Sequence, residues 1–176
     1  MRSGYDIATG LCIMGSVLTA NAVTPIDLRS SSNMGFRDEV AMDGKGGWTD
    51  QGNNDLRLLP LGRQKFCGVE FNIIDPSANG GKSCIVLRGA ERPAFPLSAE
   101  VATNAKGKFL YLLPAAAFSA AGKKKCGDIK ITYADGSSER LIIDWTCVGN
   151  WWNPVAVMNC KIGWKTKNLQ SDIGLY

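Results

Sequence analysis

The chain has 176 residues, of which 45% are hydrophobic and 20% charged. That is enough for one domain with its own core and excludes an extended disordered chain. It has no histidine, so Ser-His-Asp triads, Cys-His dyads and His-built zinc sites are excluded. Twenty Lys and Arg against sixteen Asp and Glu leave a net charge of +4, short of the basic balance of a dedicated nucleic-acid binder, and no long charge-free apolar run marks a membrane span.

Residues 1–22 read as an address. Arg2 and the amino terminus give a positive start, Ile7 to Leu18 is moderately apolar, and Ala20-Asn21-Ala22 has the small-x-small form of a signal-peptidase site. Asp6 and the Gly, Thr and Ser residues among 7–18 weaken the pattern, and the alternative is an N-terminal helix or linker packed on the domain. The expectation is a removable signal peptide over 1–22, a mature module over 23–176, and a secreted or periplasmic location. Cys12 would leave with the leader, and Cys67, Cys84, Cys126, Cys147 and Cys160 would remain. No two form a C-x-x-C pair, so zinc ribbons and thioredoxin chemistry have no support. Five cysteines allow two disulfides and one thiol, and small buried core cysteines are equally compatible.

The body reads as strands and turns. A Gly- and Asp-rich stretch from Asp43 to Asp55 has no helical period and predicts a long ordered loop, the kind of segment that often carries function. Val69, Phe71 and Ile73 alternate as a half-buried strand does. Cys84 to Leu87 is continuously apolar, as in a strand covered on both faces. Phe109 to Leu113 and Val155 to Met158, continuing through Ile162 and Trp164, are further strand-like runs. Ala115–Ala121 is too short for more than two helical turns and reads as a crossover. The predicted core is Val69/Phe71/Ile73, Ile85/Leu87, Leu110/Leu112 and Ile129/Ile131. Strands of four to eight residues between Gly, Asn, Asp and Pro predict an all-β protein, an antiparallel β-sandwich.

Side-chain parity fixes the hairpin around Asp135-Gly136. A two-residue loop would put Arg140 and Ile142 on the Ile129/Ile131 face. An odd loop, Ala134-Asp135-Gly136 with glycine left-handed, puts Leu141 and Ile143 there and is preferred. Asn79-Gly80-Gly81-Lys82-Ser83 is not a phosphate loop, because the pattern needs glycine at position 76, which is Pro76. It reads as a turn between strands. Lys123-Lys124-Lys125 reads as a solvated turn.

Several stretches resemble a family: NMGFRDEVAMDGKGGWTDQGNNDLRLLP (33–60), FCGVEFNIIDPSANGGKSCIVLRG (66–89), RPAFP (92–96), KFLYLLPAAAF (108–118), YADGS (133–137) and VGNWW (148–152). They are similar to the β-sandwich accessory modules of bacterial secreted glycoside hydrolases of the β-galactosidase- or rhamnosidase-associated type. The resemblance covers about residues 23–176 and implies a jelly-roll, galactose-binding-like sandwich. It also implies a histidine where Pro114 stands, and strands following Tyr176, so on this reading the sandwich lacks its terminal strands.

Trp48 lies in the Gly-rich loop, where a bulky aromatic has little packing reason to be, and Trp151 and Trp152 adjoin Asn150 and Asn153. Sugar rings present flat C–H faces that stack on aromatics, and their hydroxyls need amide, carboxylate and Arg partners. The expected carbohydrate site is Trp48, Asp50, Asn54, Asp55 and Arg57, with Trp151. Trp48 would stack on a pyranose, Asp50 and Asn54 would bond hydroxyls, and Arg57 would fix Asp55 or a sugar oxygen. The alternative is that these tryptophans plug the ends of the sandwich, as is expected of Trp145 and Trp164. Asp43, Asp50 and Asp55 are candidate ligands for a structural Ca²⁺, against the alternative of Asx-turns that hold an irregular loop.

No pair of glutamates or aspartates is marked as a glycosidase dyad. The expected function is therefore a non-catalytic carbohydrate-binding module of a polysaccharide-degrading system. Its partners would be an oligo- or polysaccharide and a glycoside hydrolase catalytic domain, with no nucleic acid and no membrane. The alternative is a structural spacer or interaction sandwich packed against that catalytic domain.

Overall fold

In the computed structural model the described residues are 4–5, 11–12, 15–19, 22–118 and 125–176. The protein is all-β. The strands among the described residues are β1 (Gly4–Tyr5), β2 (Leu11–Cys12), β3 (Gly15–Thr19), β4 (Ala22–Pro25), β5 (Gly62–Phe66), β6 (Val69–Ile73), β7 (Ala99–Glu100), β8 (Phe109–Leu112), β9 (Ala115–Ala116), β10 (Gly127–Thr132), β11 (Ser138–Ile143), β12 (Trp164–Lys167) and β13 (Asp172–Leu175). One 3-10 turn, Pro76–Ala78, is capped by the Asp75 carboxylate, which accepts from Ser77 N–H. The strands form small antiparallel sheets: the three-stranded β4-β3-β8 and the pairs β1-β7, β2-β9, β5-β6, β10-β11 and β12-β13.

Local chemistry explains the hairpins. Between β5 and β6 only Cys67 and Gly68 turn, with φ of 49° and 86°. Two successive left-handed residues match the twist of the flanking strands. The β10-β11 hairpin takes the odd register: Ile129 faces Leu141 and Gly127 faces Ile143. Gly136 has φ 86°, its N–H donates to Tyr133 O at 3.0 Å, and Tyr133 N–H donates to Ser137 O at 2.8 Å. Asp135 stays low because its carboxylate accepts from the Ser137 hydroxyl and N–H.

The core divides about the run Cys84–Leu87. Cys84 and Val86 face one cluster, with Trp48, Leu56, Phe71, Ile73, Leu113, Trp151 and Ile173. Ile85 and Leu87 face the other, with Leu28, Ile74, Val101, Ile129, Val148 and Tyr176. This run is covered on both sides, as its continuous apolarity predicts, yet it is not a ladder strand. The Asn33 side chain stands in for one: its Nδ2 donates to Val86 O and its Oδ1 accepts from Val86 N–H, both at 2.8 Å. That exchange satisfies the buried main chain of Val86, two residues beyond the Met34–Cys84 bridge. Of the predicted core, Phe71, Ile73, Ile85, Leu87 and Ile129 are fully buried. Val69, Leu110, Leu112 and Ile131 are partly buried and pack on it.

One further expectation is corrected. Val155–Met158 is not a strand; Val155 and Met158 are exposed and the late strand begins at Trp164. The run lacks alternation and starts after Pro154, so its hydrophobicity alone does not specify pairing. The 79–83 segment follows the 3-10 turn and returns the chain from β6 to the buried run, with Asn79 Nδ2 donating to Arg29 O and Lys82 O.

Within residues 1–22, β3 pairs with β8 from Gly15↔Leu112 to Leu18↔Phe109. Ala20 and Asn21 of the expected cleavage motif lie outside the described residues, as do Lys123, Lys124 and the end of the alanine-rich crossover. Lys125 is described and pairs with Asp128.

Candidate functional site

The loop that follows Phe36 is organised by carboxylates. Asp38 Oδ2 accepts from Gly52 N–H at 2.7 Å and its Oδ1 from Val40 N–H at 3.3 Å. Asp50 has φ 58°; its Oδ1 accepts from Asp43 N–H at 3.2 Å and its Oδ2 from Gly44 N–H at 3.0 Å. Asp55, 0% exposed, accepts from Asp38 N–H and is gripped by Arg57, whose Nη2 lies 2.8 Å from Oδ2 and 2.7 Å from Asp38 O. The hydrogen-bonded Asp55 carboxylate raises the Arg57 guanidinium against the opposing effect of burial. Gly47 is left-handed with φ 58°, and a Cβ there would lie 2.5 Å from Asp38 Cβ. The loop is therefore ordered by its own side-chain-to-backbone bonds.

This packing corrects the expected site. Trp48 is 1% exposed and meets Trp151, 2% exposed, edge to face at 5.5 Å between ring centroids. Neither indole presents a face on which a pyranose could stack. The loop wraps over the core instead of standing off it, and a large aromatic anchors such a wrap through the area it buries. Asp55 and Arg57 fix each other, as one of the expected roles for Arg57 has it, but that pair faces inward.

Calcium does not fit the loop. Asp38, Asp43 and Asp50 can each bring one oxygen to within 4.8 Å of the others. Asp55 is not among them, and its carboxylate is paired with Arg57. Asp50 Oδ2 lies 2.8 Å from Arg92 Nη1, so a fixed guanidinium already neutralises it. Asp38 Oδ1 and Oδ2, Asp43 Oδ1 and Asp50 Oδ1 each accept a loop N–H, whereas Ca²⁺ requires six to eight oxygen ligands.

Asp50, Asn54 and Trp151 do converge, on a groove beside the loop. One cavity of about 580 Å³ is lined by Met42, Thr49, Asp50, Gln51, Asn54, Glu91 and Arg92. A second, of about 390 Å³, is lined by Asn150, Trp151 and Trp152. Both share Gln51, Asn54, Phe118 and Gln170, so they are neighbouring parts of one depression. Trp152 is 47% and Phe118 42% exposed. Asn54 Oδ1 accepts from Asn168 Nδ2 at 2.9 Å and Ser171 Oγ at 3.1 Å, which pins its amide at the floor. The Thr49 hydroxyl is buried without a hydrogen-bond partner. Arg92 is held by Asp50, by Gly47 O at 3.2 Å, and over the Phe95 ring at 5.1 Å.

Gln51, Gln170, Phe118, Asn150 and Trp152 were not among the expected site residues. A signal for Trp152 exists: two adjacent tryptophans in extended backbone point to opposite sides, so one of Trp151 and Trp152 must face away from the core. Phe118 and Gln170 carry no such signal; the fold alone brings them beside residue 51. No protein-family model, curated protein or solved structure matches the chain.

Proposed function

We propose that the protein is a non-catalytic carbohydrate-binding module, and that it binds through the groove between Trp152, Phe118 and the amides of Gln51, Asn54, Asn150 and Gln170. One observation carries this reading: two half-exposed aromatic rings share a depression with four amide side chains. Amides both donate to and accept from hydroxyls, and an aromatic face covers the C–H face of a sugar ring.

Trp152 replaces Trp48 as the stacking residue in this proposal, and Asp50 acts by holding Arg92 and the loop. The site is open, so each polar contact returns little net free energy and affinity is weak. Tethering to a glycoside hydrolase would make such a site useful by raising local substrate concentration. We propose with it the sandwich form of the fold, supported by apolar clusters on both sides of Cys84–Leu87, and export with Val23 as the first residue, a cleavage that takes β1, β2 and β3 out of their pairings with β7, β9, β4 and β8. The mass of the mature protein from its own host tests export.

A spacer that packs on a catalytic domain is the second reading. It is favoured by β11, whose Leu141 and Ile142 are both exposed. Titration of the whole chain with galactosides, rhamnosides and polysaccharides, followed by tryptophan fluorescence, separates the two. Millimolar binding lost in Trp152→Ala supports the module; no response to any glycan leaves the spacer.

A further inference from the structure

The segment that supplies the groove's Asn150-Trp151-Trp152 wall runs between Cys147 and Cys160. The two ends of this segment are already fastened together. Asn159 N–H donates to Thr146 O at 2.7 Å, and Asn159 Nδ2 donates to Thr146 Oγ1 at 2.9 Å. These are the residues immediately before each cysteine. The Cys147 Sγ lies 3.6 Å from the same Thr146 Oγ1. Val157 and Cys160 form an antiparallel bridge that turns the chain back at this point. Both cysteines are partly buried, and Cys147 and Cys67 both lie near enough for their charges to act on Cys160.

We propose that Cys147 and Cys160 are a redox-active pair whose disulfide closes the loop carrying Trp151 and Trp152. The neighbouring main chain is already ordered, so the covalent link asks little further ordering of the native state, and its effect falls on the unfolded chain. Oxidation proceeds by exchange with a disulfide oxidant such as oxidised glutathione. One cysteine thiolate attacks a sulfur of the oxidant, forms a mixed disulfide and releases one thiol. The second cysteine thiolate then attacks the first cysteine's sulfur and releases the other thiol. Two protein thiols lose two electrons and two protons, and one oxidant disulfide gains them as two thiols. In the reduced protein burial pushes the Cys160 thiol up, and its Sγ lies 3.5 Å from Lys161 O as a donor.

Cys67 competes for Cys160, and Cys126, on whose buried thiol Cys147 acts, competes for Cys147. Cys67 is exposed, and its Sγ donates to Ile162 O at 3.4 Å, one residue along from the carbonyl that Cys160 uses. Among the described residues no hydrogen bond joins the residues flanking Cys67 to those flanking Cys160, as Asn159 and Thr146 are joined, so Cys147 is the favoured partner.

The test is thiol mapping of the whole chain equilibrated with a glutathione couple, alkylated and digested without reductant. The expected result is a peptide pair joined through Cys147 and Cys160, with Cys67 alkylated in the native protein. A Cys67–Cys160 link, or alkylation of both Cys147 and Cys160 under oxidising conditions, overturns the proposal. Thermal melting gives a second measurement. Dithiothreitol lowers the Tm of the oxidised protein by about 10 °C. Cys147→Ser and Cys160→Ser each abolish that drop, and Cys67→Ser keeps it. A drop that survives in either of the first two variants also overturns the pairing. The mapping uses wild-type protein, so it decides the matter even where a variant fails to fold.

Discussion

The loop of residues 38–57 and the segment 148–154 each carry tryptophan among amides and carboxylates, and the fold uses them in opposite ways. In the loop, the carboxylates of Asp38, Asp50 and Asp55 turn inward to loop N–H groups and arginines, and Trp48 goes into the core beneath them. In the segment, Trp151 N–H donates to Ala116 O and Gly174 N–H to Trp151 O, so the backbone is stitched between two neighbours. Trp151 then faces the core, and Trp152 is left at the surface. Polar residues next to an aromatic can therefore mean self-satisfied architecture or an unfilled site. What separates the cases is where the polar groups spend their hydrogen bonds.

The largest effect that would break this comparison is at Trp48. If the loop is architecture, Trp48→Ala removes a fully buried indole from its contact with Trp151 and costs about 3–5 kcal/mol, measured as a shift of the urea midpoint. A loss below about 1 kcal/mol would mean that the loop lifts off the core in solution. Asp55→Asn comes next. The substitution leaves Arg57, which is about one-quarter exposed, without its buried anionic partner, and should cost roughly 3 kcal/mol. Arg57→Lys should recover part of the wild-type stability but not all, because an ammonium cannot span both carboxylate oxygens and Asp38 O together.

A smaller effect lies outside both regions and calibrates them. Burial pushes the Asp128 carboxyl up, but its ion pairs with Lys125 and Arg140 outweigh this and leave it below its ordinary value of 3.8. A carboxyl with a depressed folded value stabilises above its unfolded value, and that contribution is lost as pH falls through the folded one. Stability should thus hold from neutrality to about pH 4 and decline below it. Asp128→Asn should start less stable at pH 7 and show a shallower acid decline, read as Tm against pH. An unchanged slope would place the acid-sensitive groups elsewhere, among Asp27, Asp75, Asp135 and Asp144, which hydrogen bonds also hold low.

Much of the fold is legible in the residues because period and parity are local. Alternation locates Phe71 and Ile73, parity fixes the β10-β11 register, and continuous apolarity marks Cys84–Leu87 as covered on both faces. The site was less legible. Its expected members followed from composition within one loop, but whether an indole or a carboxylate is free depends on partners distant in sequence. Asn54 is held by Asn168 and Ser171, and Asp50 by Arg92. Phe118 and Gln170 reach the groove only through tertiary packing. The segment 155–158 failed for a related reason: hydrophobic residues without alternation do not say which neighbour, if any, will cover them.

Trp152 gives the smallest stability effect and the sharpest contrast with Trp48. Its ring is about half exposed and its backbone N–H, not its indole, meets Asn150 Oδ1 at 3.3 Å. Its place in the chain is held by the antiparallel bridge to Ile173, which is a main-chain contact that survives truncation of the side chain. Trp152→Ala should therefore change stability by less than about 1 kcal/mol, as surface substitutions generally do. If the groove is a site, the same change should abolish the fluorescence response to glycans while leaving the melting curve nearly intact, and Phe118→Ala should weaken it in parallel. Trp48→Ala should do the reverse, moving the melting curve far more than the affinity per folded molecule. Equal stability losses at Trp48 and Trp152 would make both tryptophans architectural and remove the reason for treating 148–154 as the wall of a binding groove.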